Sequence, residues 1–206
     1  MRTLIAVLFV VGLLSVMPVL GGAANSPTFA LSRSTAYTLN RGEGQVSTTF
    51  NLLSLGVPTV SVEYGLSNYL QLGTSVTRDI EGDLNLRGKV GLLQVRRVDL
   101  AFPFALWMSP NSGFSSHVAT VISWEAMDSI SLHLGTWVGV YPHFYYSPYL
   151  IMDLHPLSDL ALIVEGSLRP SRVTLGIRMA LWDFLNLRVA GGLNPLSFWG
   201  GLSIRI

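Results

Sequence analysis

Ile130-Ser131-Leu132-His133-Leu134-Gly135-Thr136-Trp137-Val138-Gly139-Val140 is the stretch that decides the fold. Successive side chains of a β-strand point to opposite faces, so residues two apart share a face. Ile130, Leu132, Leu134, Val138 and Val140 then stand on one side, and Ser131, His133, Gly135, Trp137 and Gly139 on the other. The first face is greasy and the second mixed. The same division separates Val173, Leu175, Ile177, Met179 and Leu181 from Arg172, Thr174, Gly176, Arg178 and Ala180. It also separates Leu84, Leu86, Val90 and Leu92 from Asn85, Arg87, Lys89 and Gly91, and Val98, Leu100, Phe102, Phe104 and Leu106 from Asp99, Ala101, Pro103 and Ala105.

The composition of the 206 residues narrows what such strands can build. Half are hydrophobic and only 12% are charged, about half the charged share of an average soluble domain. There is no cysteine, which excludes a disulfide scaffold. The 13 Lys and Arg are balanced by 12 Asp and Glu, so no basic surface is available to neutralise phosphates, and nucleic acid is not an expected partner.

The beginning of the chain reads differently. Arg2, an apolar run over residues 4–20 and the small residues Gly22-Ala23-Ala24 have the three-part form of a secretory signal, placed at residues 1–24 with cleavage after Ala24. As an uncleaved anchor the run would be short and weakened by Gly12 and Pro18. Residues 134–152 carry no Asp, Glu, Lys or Arg, but Pro142 and Pro148 interrupt them, and a pair of strands fits better than a membrane helix.

Turn chemistry sets the strand count. Polar turns after Tyr64, Trp124, Leu154 and Trp182 read as hairpins, with a less typical one at Gln94-Val95-Arg96-Arg97. Further turns fall at residues 55–58, 79–83, 110–113, 141–143, 169–171 and 193–195. Twelve strands result, near 45–53, 59–64, 69–77, 84–92, 98–108, 115–125, 129–140, 144–154, 160–168, 172–181, 185–192 and 196–206, with ten as the alternative if a turn is lost. Most approach the roughly 9 to 11 residues that a tilted strand needs to cross a bilayer.

Tyr64-Gly65-Leu66-Ser67-Asn68-Tyr69-Leu70 looks like the periplasmic hairpins of bacterial outer-membrane β-barrels, and over residues 45–206 the chain resembles that class. Phe198, Leu202, Ile204 and Ile206, in a final strand, resemble its assembly signal, although the last residue is Ile206 where the class has an aromatic one. The resemblance implies an all-β, closed, antiparallel up-and-down transmembrane barrel, exported to the outer membrane. It would comprise a signal peptide (1–24), a periplasmic segment (25–44) and the barrel (45–206), with membrane lipid and the outer-membrane assembly machinery as partners. An even strand number places both ends on the periplasmic side.

In such a barrel the greasy faces meet lipid. Glu63, Arg87, Lys89, Asp99, Glu125, His133, Asp153, Glu165, Arg178, Arg188 and Arg205 all fall on the inward parity, as candidates to line the lumen. A charge on the lipid face near mid-bilayer would cost roughly 2 to 4 kcal/mol. Rings that are half apolar favour the two lipid–water boundaries. Tyr64, Tyr69, Trp124 and Trp182 are expected in one girdle, and Trp107, Phe114, Tyr141, Phe144 and Phe198 in the other.

Function is less legible. The inward charges suit a narrow passive channel for small hydrophilic solutes or ions, and they suit a filled, non-conducting scaffold as well. Short connections argue against a receptor or adhesin. Ser131 with His133, and Ser115 with His117, lie two apart on one face, but a lipid hydrolase needs its Ser and His at the lipid boundary with an orienting partner, so no catalytic residue is assigned. Asp153 and His155 lack a third metal ligand nearby, and neither metal nor cofactor is expected. A soluble exported barrel around an apolar ligand would invert the two faces.

Overall fold

Alternation of branched or aromatic side chains with small or polar ones makes each segment a strand, and short turns bring consecutive strands together as antiparallel pairs. The computed structural model describes residues 34–52, 58–76, 84–109, 113–194 and 196–206. The expected signal at 1–24, the beginning of the 25–44 segment and the turns near 55–58, 79–83 and 110–113 lie wholly or largely outside them. The first six strands are β1 (Gly44–Asn51), β2 (Thr59–Ser67), β3 (Leu70–Val76), β4 (Leu84–Val95), β5 (Val98–Ser109) and β6 (Gly113–Met127). The other six are β7 (Ile130–Tyr141), β8 (Tyr145–Leu157), β9 (Leu160–Leu168), β10 (Ser171–Trp182), β11 (Leu185–Leu193) and β12 (Ser197–Arg205).

Each strand pairs with its neighbours in sequence, and β1 closes on β12 from Gln45 opposite Arg205 to Asn51 opposite Trp199. Closure removes both sheet edges, so every wall strand has a hydrogen-bonding partner on each side. The ten-strand alternative does not occur: Arg96 and Arg97 turn β4 into β5, and β1 pairs with β2. The uncharged run at 134–152 is divided between β7 and β8.

The two ends differ. At the end where the barrel begins and finishes, the five connections are two residues each: 68–69, 96–97, 128–129, 158–159 and 183–184. Each of these hairpins carries a register shift beside its turn, at Gly65/Ser67, Gly91/Leu93, Glu125/Met127, Leu154/Leu157 and Ala180/Trp182. A bulge changes which residue faces inward. After one, Leu92 and Leu93 are both exposed, and Gln94 joins the row of Asp99 opposite it.

The barrel is inside out relative to a soluble protein. Leu86, Phe102, Ile122, Leu134, Leu150, Leu175, Ile177 and Val189 are all exposed, while Glu63, Lys89, His133, Asp153, Glu165, Arg178 and Arg188 are buried. An apolar belt of this extent has no place in water. The soluble alternative, with apolar rows inward, is therefore overturned by the direction of the strand faces.

Ahead of β1 the chain makes a tight turn over residues 40–43, closed by Glu43 N–H donating to Asn40 O at 3.1 Å, with Gly42 at φ +87°. Such a φ favours glycine. The turn lies against β2 so closely that a Cβ on Gly65 would stand 2.0 Å from Asn40 O. Glycine at 65 is what lets the turn seat there, and from it residues 34–39 run back into the bore.

Candidate functional site

The site is the lumen, built from the inward row of each strand. Across β6, β7, β8 and β10 a polar row spans it: Ser123 Oγ and His133 Nδ1 are 2.6 Å apart, His133 Nε2 is 3.8 Å from Asp153 Oδ2, and Asp153 Oδ2 is 3.6 Å from Arg178 Nη1. On the opposite wall Gln71 Nε2 donates to Glu63 Oε2 at 2.5 Å. Arg178 and Arg188 are cross-strand partners. Ala101, Val121, Ile151, Ala161, Ile163 and Ala190 form an apolar patch beside these polar groups, with Trp137 and Trp199 against it.

Residues 34–39 fill the middle of this bore. Tyr149 OH donates to Ser34 O at 2.9 Å, Ala36 N–H to Ser123 Oγ at 2.7 Å, Lys89 Nζ to Tyr37 O at 2.8 Å, and Leu39 N–H to Gln71 Oε1 at 3.1 Å. Ala36 is 1% and Leu39 0% exposed. Tyr37 OH donates to Glu125 Oε1 at 3.5 Å. Its ring meets His133 edge-on with centroids 5.6 Å apart. Of the 25–44 segment expected outside the barrel, this part lies within it, because β3, β4, β6 and β8 supply partners for its backbone.

The turn at 40–43 ties the segment to the base. Glu43 accepts from Asn40 N–H and Nδ2 at 2.9 Å each and from the Arg205 guanidinium. Burial pushes its carboxyl upward, but the Arg205 and Asn40 hydrogen bonds outweigh that and hold it below its usual value. Arg41 N–H donates to Asn68 Oδ1 at 3.0 Å, and Gln94 Nε2 donates to Thr38 Oγ1 at 3.2 Å.

Toward the other end the lumen widens into a cavity of about 380 Å³. Glu63, Arg87 and Lys89 line its wall, with Trp107, His117 and Tyr145 nearer the mouth. Tyr145 OH and His117 Nδ1 are 3.0 Å apart, and Trp107 packs edge-on to His117 at 5.5 Å.

The residues singled out from sequence distribute along this axis. Asp99 and Glu125 are half-buried near Tyr37 at the tight-turn end, and Arg205 meets Glu43 at the base. His133, Asp153, Glu165, Arg178 and Arg188 are buried at mid-height, and Glu63, Arg87 and Lys89 face the cavity. Tyr64, Tyr69, Trp124 and Trp182 are exposed at the tight-turn end, and Phe114, Tyr141, Phe144 and Phe198 at the other. Trp107 is a correction: it shares the inward row of Asp99, Ala101 and Ala105, and it lines the cavity. Nearness to a turn does not set the face of a side chain; strand parity does.

Ser123, Gln71 and Tyr149 also belong to the site, and inward parity is the one signal the sequence carries for them. Ser123 replaces Ser131 as the partner of His133, and His117 meets Tyr145 rather than Ser115. The row Ser123, His133, Asp153 has the composition of a nucleophilic triad, but each member is 1% exposed or less, and Ala36 N–H occupies the hydroxyl. With 3.8 Å between imidazole and carboxylate and no room for a substrate, it serves to hold the segment. Among the described residues no three His, Asp or Glu are placed to hold a metal.

Comparison with known proteins places the fold. The chain superposes on the KdgM porin with a TM-score of 0.59 at 10% identity, covering 79% of this chain and 98% of that one. A KdgM porin in complex with disordered oligogalacturonate gives 0.58 at 10% identity, again over 79% and 98%. The NanC porin gives 0.55 at 9% identity, over 78% and 98%. The likeness is one of fold: a closed barrel of the bacterial outer-membrane type. No protein-family model matches the sequence, and no curated protein does.

Proposed function

We propose that the chain is an integral β-barrel of a bacterial outer membrane and acts as a narrow passive channel for small hydrophilic solutes or ions. The observation that carries this reading is the segment at 34–39 itself. A bore that holds a polypeptide strand between its inward side chains has, without that strand, a cross-section sufficient for small solutes. Beside the apolar patch, its wall carries buried charged and hydroxyl groups, among them Glu63, Lys89, Glu165, Arg178 and Arg188, which suit water and dissolved ions. The porin fold and the lipid-facing belt support the setting.

In this reading residues 1–24 direct export and are removed, and the tight-turn end with both ends of the barrel faces the periplasm. The outer-membrane assembly machinery receives β12, whose Phe198 and Leu202 lie on the lipid face. No chemical step is assigned to the lumen. Planar-bilayer recording of the purified chain and of a variant lacking residues 34–39 tests the channel. Discrete current steps from either support it. Silence from both, with a heat-modifiable folded barrel on a gel, sinks it in favour of the non-conducting scaffold.

A further inference from the structure

Residues 34–39 and the turn at 40–43 are held in two different ways. The turn is joined to the wall backbone to backbone: Gly42 N–H donates to Gly65 O, and Gly65 N–H to Glu43 O, both at 2.9 Å. Gly44 stands opposite Tyr64 at the start of the β1–β2 pairing, so this ladder passes without a break into β1, and on its other side Gly44 N–H donates to Ile206 O at 2.7 Å. Above the turn most contacts run through wall side chains, Gln71, Lys89, Gln94, Ser123 and Tyr149, while Thr38 Oγ1 donates to the backbone carbonyl of Asn68 in the turn after β2 at 2.9 Å. None of these bonds belongs to the barrel ladder. Withdrawing residues 34–39 would leave the strand-to-strand ladders of β1 to β12 in place.

The wall behind the segment is also ready for water. Among the described residues no hydrogen-bond partner reaches His133 Nε2, Asp153 Oδ1 or Arg188 Nε, all of them buried. Buried polar atoms of this kind favour any state in which water reaches them. Opposing this is the burial of Ala36 against the Val121 and Ile151 patch, and of Leu39. Ala36 contributes a single methyl group to that patch, and the fully buried Leu39, next to the turn, supplies the larger share of the apolar anchoring.

We propose that residues 34–39 are the gate of the channel: a displaceable plug that swings on the turn at 40–43, closing the bore when docked on Ser123 and Gln71 and opening it when released. This inference rests on the channel reading and adds its regulation. Docking satisfies Ala36 N–H and Leu39 N–H on wall side chains; release exchanges those bonds for water and hydrates the row from His133 to Asp153. The anchor keeps the plug at the mouth of its own bore in both states.

The chain has no cysteine, so a pair can be introduced without interference. In the full chain carrying Ala36→Cys and Ser123→Cys, oxidation ties the plug to β6. The expected result is a small averaged current in oxidised protein that rises severalfold on adding reductant, with either single-cysteine variant indifferent to reductant. The chain lacking residues 34–39 should match or exceed the reduced level. Equal currents from tethered, reduced and shortened protein would overturn the gate and leave the channel standing. A pair that stays open to maleimide after oxidation would overturn the docking on which the gate rests. No current from any form, the shortened chain included, would overturn the channel reading and the gate with it.

Discussion

The two faces of a single strand, β10, meet opposite surroundings. Val173, Leu175, Ile177 and Met179 are exposed, while Thr174 and Arg178, set between them, are buried. In a soluble sandwich the greasy row would be the hidden one. The contrast teaches that burial and hydrophobicity are separable: the outer row is left uncovered and is of the kind that lipid solvates, and the inner row is hidden by neighbouring polar side chains and, elsewhere in the bore, by residues 34–39. The difference between the faces is a difference in solvent, and each face can be probed by giving it the wrong one.

The largest effect should follow from a charge on the outer row. Leu175→Arg, and likewise Leu134→Arg, should destabilise the folded barrel by about 2–4 kcal/mol in lipid, as measured by reversible denaturant unfolding in vesicles. Ser115→Arg, on the inward row beside the cavity mouth, should cost far less. Equal loss from outer and inner substitutions would mean that neither face sees lipid.

An intermediate effect should come from the inner row. Ser123→Ala removes the acceptor of Ala36 N–H and the partner of His133, leaving buried donors unmatched at a cost of about 1–3 kcal/mol. Protease or label access at residues 34–39 should rise with it. Unchanged stability together with unchanged access would show that the Ser123 contact does not hold the segment.

Arg87 tests whether the inner face meets a water path. Arg87→Gln removes a cation from the cavity wall and should move the reversal potential across a salt gradient toward cation preference. A conducting barrel with an unaltered reversal potential would place Arg87 off that path.

The smallest effect belongs to the base. Because the Glu43 carboxyl is held below its ordinary value of 4.5, its pairing with Arg205 and Asn40 stabilises the fold fully above that value. The contribution disappears as the pH falls through the lowered value. Thermal unfolding of wild type and Glu43→Gln should differ slightly at neutral pH and converge in acid. A difference that persists in acid would assign the effect to packing rather than to charge.

Period-two alternation needs only neighbouring residues to be read, so the strands were legible. β9 spans 160–168, the segment expected, and the inward parity of Lys89, Asp153 and Arg178 follows from the same count. Trp107 was within reach of that count too, but its place beside a turn suggested a girdle. The ends of β2, β4, β6, β8 and β10 were harder, because a bulge shifts the register at a point chosen by the twist of the closed wall.

The sequence by itself determined a barrel with apolar residues outside and charge inside, since a face is a property of consecutive residues. Only the tertiary structure decided what fills the lumen. Ala36 meets Ser123 across 87 residues, and Ser34 meets Tyr149 across 115. Residues 34–39 carry no periodicity that names those partners. The partners exist as a site only once β1 has paired with β12 and the inward rows of distant strands face one another across a single bore.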